Sequence, residues 1–211
     1  MAKAPLPGTV KTRLHPLLDP RGCASLQEAL IRHTLGLVAD LGADTFLAFH
    51  PAGEYPRMRR LVPGRVSLLP QRGNHLGQRL TAASTDVLAR SPGPLVVLGT
   101  DTPTLTADGL TGAFAGLTGG ADVVLGPAVD GGYYLIGMRQ PDAALFDIDP
   151  ALWGGASVLA ATLAQAARRG LDVQLLPPLR DLDTPGDACA LLDDPLLPAP
   201  VAALLRRVAD R

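Results

Sequence analysis

Two aspartate-bearing segments carry the clearest chemistry in this chain. GTDTP, Gly99 to Pro103, follows directly on the apolar run LVVL, so Asp101 stands where a buried strand should end. In an open parallel sheet, ligands bind outside the carboxyl ends of the strands. A carboxylate there is a hard oxygen donor of the kind that Mg²⁺ shares with substrate phosphates and water. The same Asp-Thr-Pro order also builds turns that cap helices, and alone it does not decide between the two. RDLDTPGD then supplies Asp181 and Asp183, two apart and therefore on one face of an extended segment. Asp183 is the one expected to reach a metal, although Asp183 or Thr184 also suits the N-cap of a helix that has Pro185 at its first position.

Cationic chemistry concentrates near the beginning. The only lysines, Lys3 and Lys11, flank the loop AKAPLPGTVKTRL, while the other seventeen of the nineteen Lys and Arg residues are arginine. Pro7 and Gly8 form a turn inside that loop. Lys11 and Arg13 project from one side of an extended segment, so they can close on an oligophosphate as a mobile point charge and a bidentate fork. An exposed basic segment without a ligand is the plainer alternative. In GPAVDGGYYLIG, Asp130 with Gly131 and Gly132 can approach a ligand closely and accept hydrogen bonds from substrate hydroxyls, or simply turn a hairpin. QRGNHLGQRL is a glycine-bearing turn that enters a helix, which makes Gln71, Gly73 and Arg79 candidates for contacts to a base or phosphate.

Other classes fall away. The formal net charge is -1 and charged residues are 18% of the chain, so no global field favours nucleic acid or a membrane surface. No apolar run reaches the roughly 18 residues of a membrane span, and the beginning lacks the apolar core of a secretory signal. A cytoplasmic protein is the expectation. Cys23 and Cys189 have neither CxxC nor His-Cys spacing, which removes zinc and disulfide frameworks. His33 falls on the apolar face of a helix as a core or boundary residue, and His15 and His50 have no partners at ligand spacing. There is no GxSxG elbow and no complete P-loop.

The elements that must position these residues alternate in the manner of a doubly wound α/β sheet. Leu26, Leu30, Leu37 and Leu41 place a helix over 24–40. Strand TFLAFH follows, then a short helix over 55–61, a strand near 65–69, a helix over 76–90 and the strand PLVVLGTD. A helix over 106–117 precedes the strands ADVVLGP and YYLIGM, a helix covers 158–169, and DVQLLPP reads as an edge strand because its prolines cannot donate to a ladder. A helix after Pro200 closes the chain. With 47% apolar residues in 211, one domain over 1–211 can bury a sizeable core. A phosphate-binding first loop ordinarily follows a central strand, yet here the loop starts at Met1. The first strand is therefore expected to be missing or truncated, through loss or through a chain start that lies upstream.

In order, AKAPLPGTVKTRL, QRGNHLGQRL, GTDTP, GPAVDGGYYLIG, WGGASV around Trp153 and RDLDTPGD resemble a bacterial family of GT-A-like transferases of the nucleotide-diphospho-sugar transferase superfamily, the arsenosugar-biosynthesis-type glycosyltransferases. The resemblance runs from residue 2 to about residue 192. The KTRL loop is also similar to that of phospholactate guanylyltransferase and, more distantly, of molybdenum-cofactor nucleotidyltransferases. It implies a three-layer α/β/α Rossmann-like GT-A fold with a mostly parallel sheet, Mg²⁺ (or Mn²⁺) held by Asp101 and Asp183, and Lys11 and Asp101 as catalytic residues. It further implies a nucleotide or nucleotide-sugar with a small-molecule acceptor as partners, with a homodimer left open. Glycosyl transfer from a nucleotide-sugar, guanylyltransferase-like nucleotidyl transfer and non-catalytic nucleotide binding are the three readings. The chain departs from the family pattern at His33 and His75, where aspartates are expected, and near Gly155, where Ser or Thr is expected.

Overall fold

The computed structural model describes residues 1–206. Its strands are β1 (Ala2–Lys3), β2 (Phe46–His50), β3 (Ser67–Pro70), β4 (Leu95–Leu98), β5 (Val123–Pro127), β6 (Tyr133–Met138) and β7 (Val173–Leu175). The helices are α1 (Pro20–Val38), α2 (Tyr55–Leu61), α3 (Leu76–Leu88), α4 (Ala107–Thr118), α5 (Val158–Arg168), α6 (Pro185–Leu192) and α7 (Ala199–Arg206). The helix expected after Pro200 is α7, and its continuation past Arg206 lies outside the described residues. Capping decides where the helices begin. The Asp19 carboxylate accepts from Gly22 N–H with Pro20 at the first position, so α1 starts four residues before the apolar pattern that predicts it. Thr184 forms a capping box with Asp187 at the start of α6. Thr184, not Asp183, is thus the cap, and the Asp183 side chain is left to face elsewhere.

The strands form two ladders, β3-β2-β1 and β4-β6-β5-β7. β1, β2 and β3 are parallel, as are β5 and β7, whereas β6 is antiparallel to both β4 and β5. The short link between β5 and β6 explains the reversal, because a parallel connection needs a crossover of a dozen residues or more. β7 has β5 as its one strand partner, the edge position expected of DVQLLPP. Period-two alternation sorts side chains between two helical layers. Val124, Leu135, Val96 and Leu98 pack with α4, while Val123, Leu125, Ile136 and Met138 pack with Leu80 of α3 and Ala166 of α5. α1 and α2 cover β2 and β3 through Ile31, Leu35, Met58 and Leu61, and α6 and α7 pack against the start of α1 through Leu26, Leu30, Leu191, Val201 and Leu205.

The first strand is short. β1 has two residues and pairs only with Phe49 and His50, so Phe46–Ala48 of β2 have no neighbouring strand on that side. The two ladders approach each other at Met1, whose α-nitrogen donates to the carbonyl of Leu98 at 2.8 Å.

Candidate active site

At the carboxyl end of β1 and β4 lies a pocket of about 420 Å³, a size that suits a nucleotide-sized ligand. Asp101 follows β4 by three residues, and the 181–183 segment is pinned beside it because Leu182 N–H donates to the Asp101 carbonyl at 2.8 Å. That backbone bond brings two carboxylates to one point. Lys11 Nζ lies 2.6 Å from Asp101 Oδ1 and 2.9 Å from Asp183 Oδ1, and it also donates to Leu182 O at 2.9 Å. Its three N–H groups therefore face three oxygens of the protein. The Lys11 side chain is 4% exposed, while those of Asp101 and Asp183 are 45% and 41% exposed. Lys11 is thus a buried tie between two partly open carboxylates, a different posture from the mobile phosphate-seeking charge expected of it. Burial opposes its charge, yet the attraction of Asp101 and Asp183 wins and raises its pKa. Lys11 also has φ 50°, the left-handed region, as the one non-glycine residue with positive φ among the described residues. That conformation costs about 1–2 kcal/mol and turns the side chain inward.

Asp181 completes the acidic floor. Its carboxylate accepts a short hydrogen bond from the Thr102 hydroxyl. Burial first, then repulsion from Asp101, Asp130 and Asp183, pushes its pKa up to about 6 against the stabilising Thr102 bond. Asp130 sits in the β5–β6 turn, where it accepts from Gly132 N–H at 2.9 Å, so it forms the hairpin and lines the pocket together. The neighbouring Gly131 has φ +91°, and a Cβ there would lie 2.1 Å from Ala156 O. Its close approach is to the Gly154–Ala156 backbone that borders the pocket.

Of the residues singled out in the sequence, Lys11, Arg13, Gln71, Arg79, Asp101, Asp130, Gly132 and Asp183 line the pocket. Pro7, Gly8, Gly73 and Gly131 are not part of that lining. Gly73 acts at one remove, since its carbonyl accepts from Arg79 Nε at 3.0 Å. Gln71 turns its amide onto Ala48 O and Ala2 O, which steadies the β1 end. Sequence reasoning gave no separate role to Trp153, Tyr133, Leu76 or Leu80, which form an apolar wall of the same pocket. The indole of Trp153 packs over Gly77, with its Nε1 buried and without a hydrogen-bond partner. A single tryptophan followed by two glycines was the available signal. Burial pushes the Tyr133 hydroxyl up to about 12, against a weaker stabilising contact from Thr162, so it stays protonated. At the departures, His75 precedes α3 without a capping bond, and His33 approaches the Pro103 carbonyl, with burial lowering its pKa against that bond.

The donor chemistry fits a hard divalent cation. Asp101 and Asp183 share one ammonium, and Asp101 Oδ1 is buried with no hydrogen-bond donor beyond that ion pair. Among the described residues no group of three or more metal-ligating side chains occurs. Mg²⁺ is commonly held by one or two carboxylates plus water and phosphate oxygens, and Asp101 and Asp183 are the two present.

Fold and pocket together define an α/β protein of the nucleotide-diphospho-sugar transferase type. A Desulfovibrio desulfuricans protein described as a candidate nucleotide-diphospho-sugar transferase is 29% identical, with 99% of this chain and 93% of that chain covered at a TM-score of 0.90. Molybdopterin-guanine dinucleotide biosynthesis protein A of Archaeoglobus fulgidus shares the fold at 15% identity, full coverage of both chains and a TM-score of 0.53. The chain belongs to the family of uncharacterized proteins conserved in bacteria (DUF2064), whose pattern matches residues 34–151. No curated protein matches it. No described helix is long and apolar enough to cross a membrane.

Proposed function

We propose that this protein is a Mg²⁺- or Mn²⁺-dependent transferase that takes a nucleotide-sugar donor and passes the sugar to a small-molecule acceptor. The observation that carries the reading is the meeting of Asp101 and Asp183 on the Lys11 ammonium, in a pocket whose walls present Arg13 and Arg79. A divalent ion bound by the two carboxylates would neutralise the diphosphate of the donor. Lys11 holds both aspartates in place through its ammonium, and the guanidinium groups of Arg13 and Arg79 are the forks for phosphate oxygens, Arg79 with its Nε given to Gly73 O. Asp130 supplies an acceptor for sugar hydroxyls, while Trp153, Leu76 and Leu80 exclude water from that end. Catalysis on this reading is positioning plus electrostatic stabilisation. Both cysteines are free, in keeping with a cytoplasmic setting.

Nucleotidyl transfer is the second reading. It is favoured by Lys3 and Arg13, which line the pocket and make no ion pair among the described residues, since an in-line attack on phosphorus gains from cations around pyrophosphate. One assay separates these readings from simple binding. The protein is incubated with Mg²⁺, nucleotide-sugars or nucleoside triphosphates, and a panel of small hydroxylated and phosphorylated acceptors. Release of nucleoside diphosphate supports glycosyl transfer, and release of pyrophosphate supports nucleotidyl transfer. Nucleotide binding with no consumption of either donor overturns both in favour of a non-catalytic module. In calorimetry, Asp101→Asn should abolish Mg²⁺-dependent nucleotide binding, because the amide keeps the shape and loses the charge; unchanged affinity would remove Asp101 from the site.

A further inference from the structure

The Lys11 ammonium stands where the Asp101 and Asp183 side chains converge, with Oδ1 of the first at 2.6 Å and Oδ1 of the second at 2.9 Å. The proposed function asks the same two carboxylates to hold a divalent ion. Mg²⁺ lies about 2.1 Å from its oxygen ligands, nearer than the ammonium nitrogen, so an ion shared by the two Oδ1 atoms takes the space that Nζ and its hydrogens fill. Both cations do not fit between these oxygens together, and at such a range they would repel. Asp101 Oδ1 is buried and has no partner besides Lys11, so it is open to a metal only when the lysine leaves.

The loop lets the side chain leave while it holds the backbone still. Val10 before Lys11 and Leu14 after it are buried, and the Lys11 carbonyl accepts from Leu14 N–H at 2.9 Å and from the Cys23 thiol at 3.3 Å. Lys11 itself lines the pocket, so rotation about its side-chain torsions carries the ammonium away from the carboxylates into open volume. The residue type suits exchange. Seventeen of the nineteen Lys and Arg residues are arginine, yet this position has an ammonium, a compact charge on a flexible four-carbon stem. An arginine fork would present rigid, paired N–H groups to the carboxylates and would give them up less readily.

We infer that the Lys11 ammonium is a stand-in cation that exchanges with the divalent ion: it bridges Asp101 and Asp183 until the ion takes both Oδ1 atoms, and it is then released into the pocket. The inference rests on the metal reading of the proposed function and adds a regulation of that site. While Lys11 bridges, the two carboxylates are kept from repelling each other, and the pocket has one mobile positive charge fewer. Arrival of the ion neutralises the carboxylates in its place and returns the ammonium to the pocket. Metal binding thus raises the affinity for an anionic ligand through this side chain as well as through the charge of the ion, and by linkage the anion raises the affinity for the metal.

The two lysines and two cysteines of the chain serve as reporters. Trace reductive methylation, read by peptide mass spectrometry, compares Lys11 with the exposed Lys3 in chelator and in Mg²⁺, with Mg²⁺ binding followed by calorimetry in the same buffer. In chelator Lys11 should be protected, its side chain being 4% exposed. With Mg²⁺ bound, its labelling relative to Lys3 should rise at least about tenfold. Cys23 is buried and Cys189 exposed, so a thiol reagent that still spares Cys23 in Mg²⁺ shows that the side chain swings while the loop stays closed. In Asp101→Asn the Mg²⁺-dependent gain should vanish. Bound Mg²⁺ with Lys11 as protected as in chelator would overturn the exchange and leave the metal site standing, whereas a lack of Mg²⁺ binding would overturn both. Exposure of Lys11 and Cys23 together, or a gain that persists in Asp101→Asn, would also overturn the exchange.

Discussion

Asp181→Asn should stabilise the protein in the absence of metal, although it removes a charge from a hydrogen-bonded aspartate. In the native state the Asp181 carboxyl sits at about 6, raised from 3.8 chiefly by burial and then by Asp101, Asp130 and Asp183. The folded protein consequently binds this proton more tightly than the unfolded chain. Stability contributed by the neutral carboxyl is complete below about pH 4 and is lost as pH rises through about 6. The displacement from 3.8 to about 6 corresponds to about 3 kcal/mol at neutral pH. Asparagine retains an oxygen for the Thr102 hydroxyl and carries no charge at any pH, so it escapes the loss. For a chain of this length, about 3 kcal/mol raises the melting temperature by roughly 6–12 °C. The assay is thermal unfolding in chelator at pH 4 and pH 7.5. The variant should lead at pH 7.5, and the two proteins should converge at pH 4. Added Mg²⁺ should narrow the lead at pH 7.5, because a cation among these carboxylates relieves the same repulsion. A gap of equal size at both pH values, or a wild type that is the more stable at pH 7.5 in chelator, would show that Asp181 is not held against its charge.

Two further substitutions probe the site's framework. Lys11→Met leaves Asp101 and Asp183 facing each other without a cation, and, discounted for their partial exposure, should cost about 1–3 kcal/mol in urea unfolding, with part of the loss restored by Mg²⁺. An unchanged urea midpoint would mean that the ammonium is dispensable to the pocket. Gly131→Ala places a methyl 2.1 Å from Ala156 O at a φ of +91°, so the Gly154–Ala156 backbone must move or the turn must strain, at a cost of about 2 kcal/mol or more. Because Trp153 is the sole tryptophan and borders that loop, its fluorescence should shift in the folded variant; wild-type emission and stability together would refute the close approach.

The fold was legible where local pattern and global architecture agree. A helix over 55–61, a helix beginning at 76 and expected to about 90 where it ends at Leu88, and strands ending before Asp101 and Asp130 follow from apolar period and flanking turn residues. The start of α1 was not, because it is set by the Asp19 cap and Pro20 ahead of the first apolar contact. The antiparallel course of β6 was legible in retrospect from the shortness of the Asp130 turn. At the site, spacing identified which residues gather, including Asp101 with Asp183. It did not show that Lys11 would spend its N–H groups on those aspartates, since that depends on a left-handed backbone at Lys11 and a tertiary bond from Leu182 to Asp101. Trp153 and Tyr133 carry no polar motif, and an apolar wall reads in sequence as ordinary core.

The tie from Lys11 to Asp101 and Asp183 also sets a schedule for the chain as it is made. Its partners lie near the beginning, the middle and the far end of the sequence, so no piece of the chain that stops short of Asp183 contains all three. At roughly 5–20 residues per second of synthesis, Asp183 arrives on the order of ten seconds or more after Lys11. Until then the ammonium and the Asp101 carboxylate lack the Leu182 backbone bond that aligns them, and the acidic floor is incomplete. The arrangement of Lys11, Asp101 and Asp183 is therefore completed late and in one step, with the arrival of the segment that leads into α6, and on the proposed function an unfinished chain would withdraw no nucleotide from its surroundings.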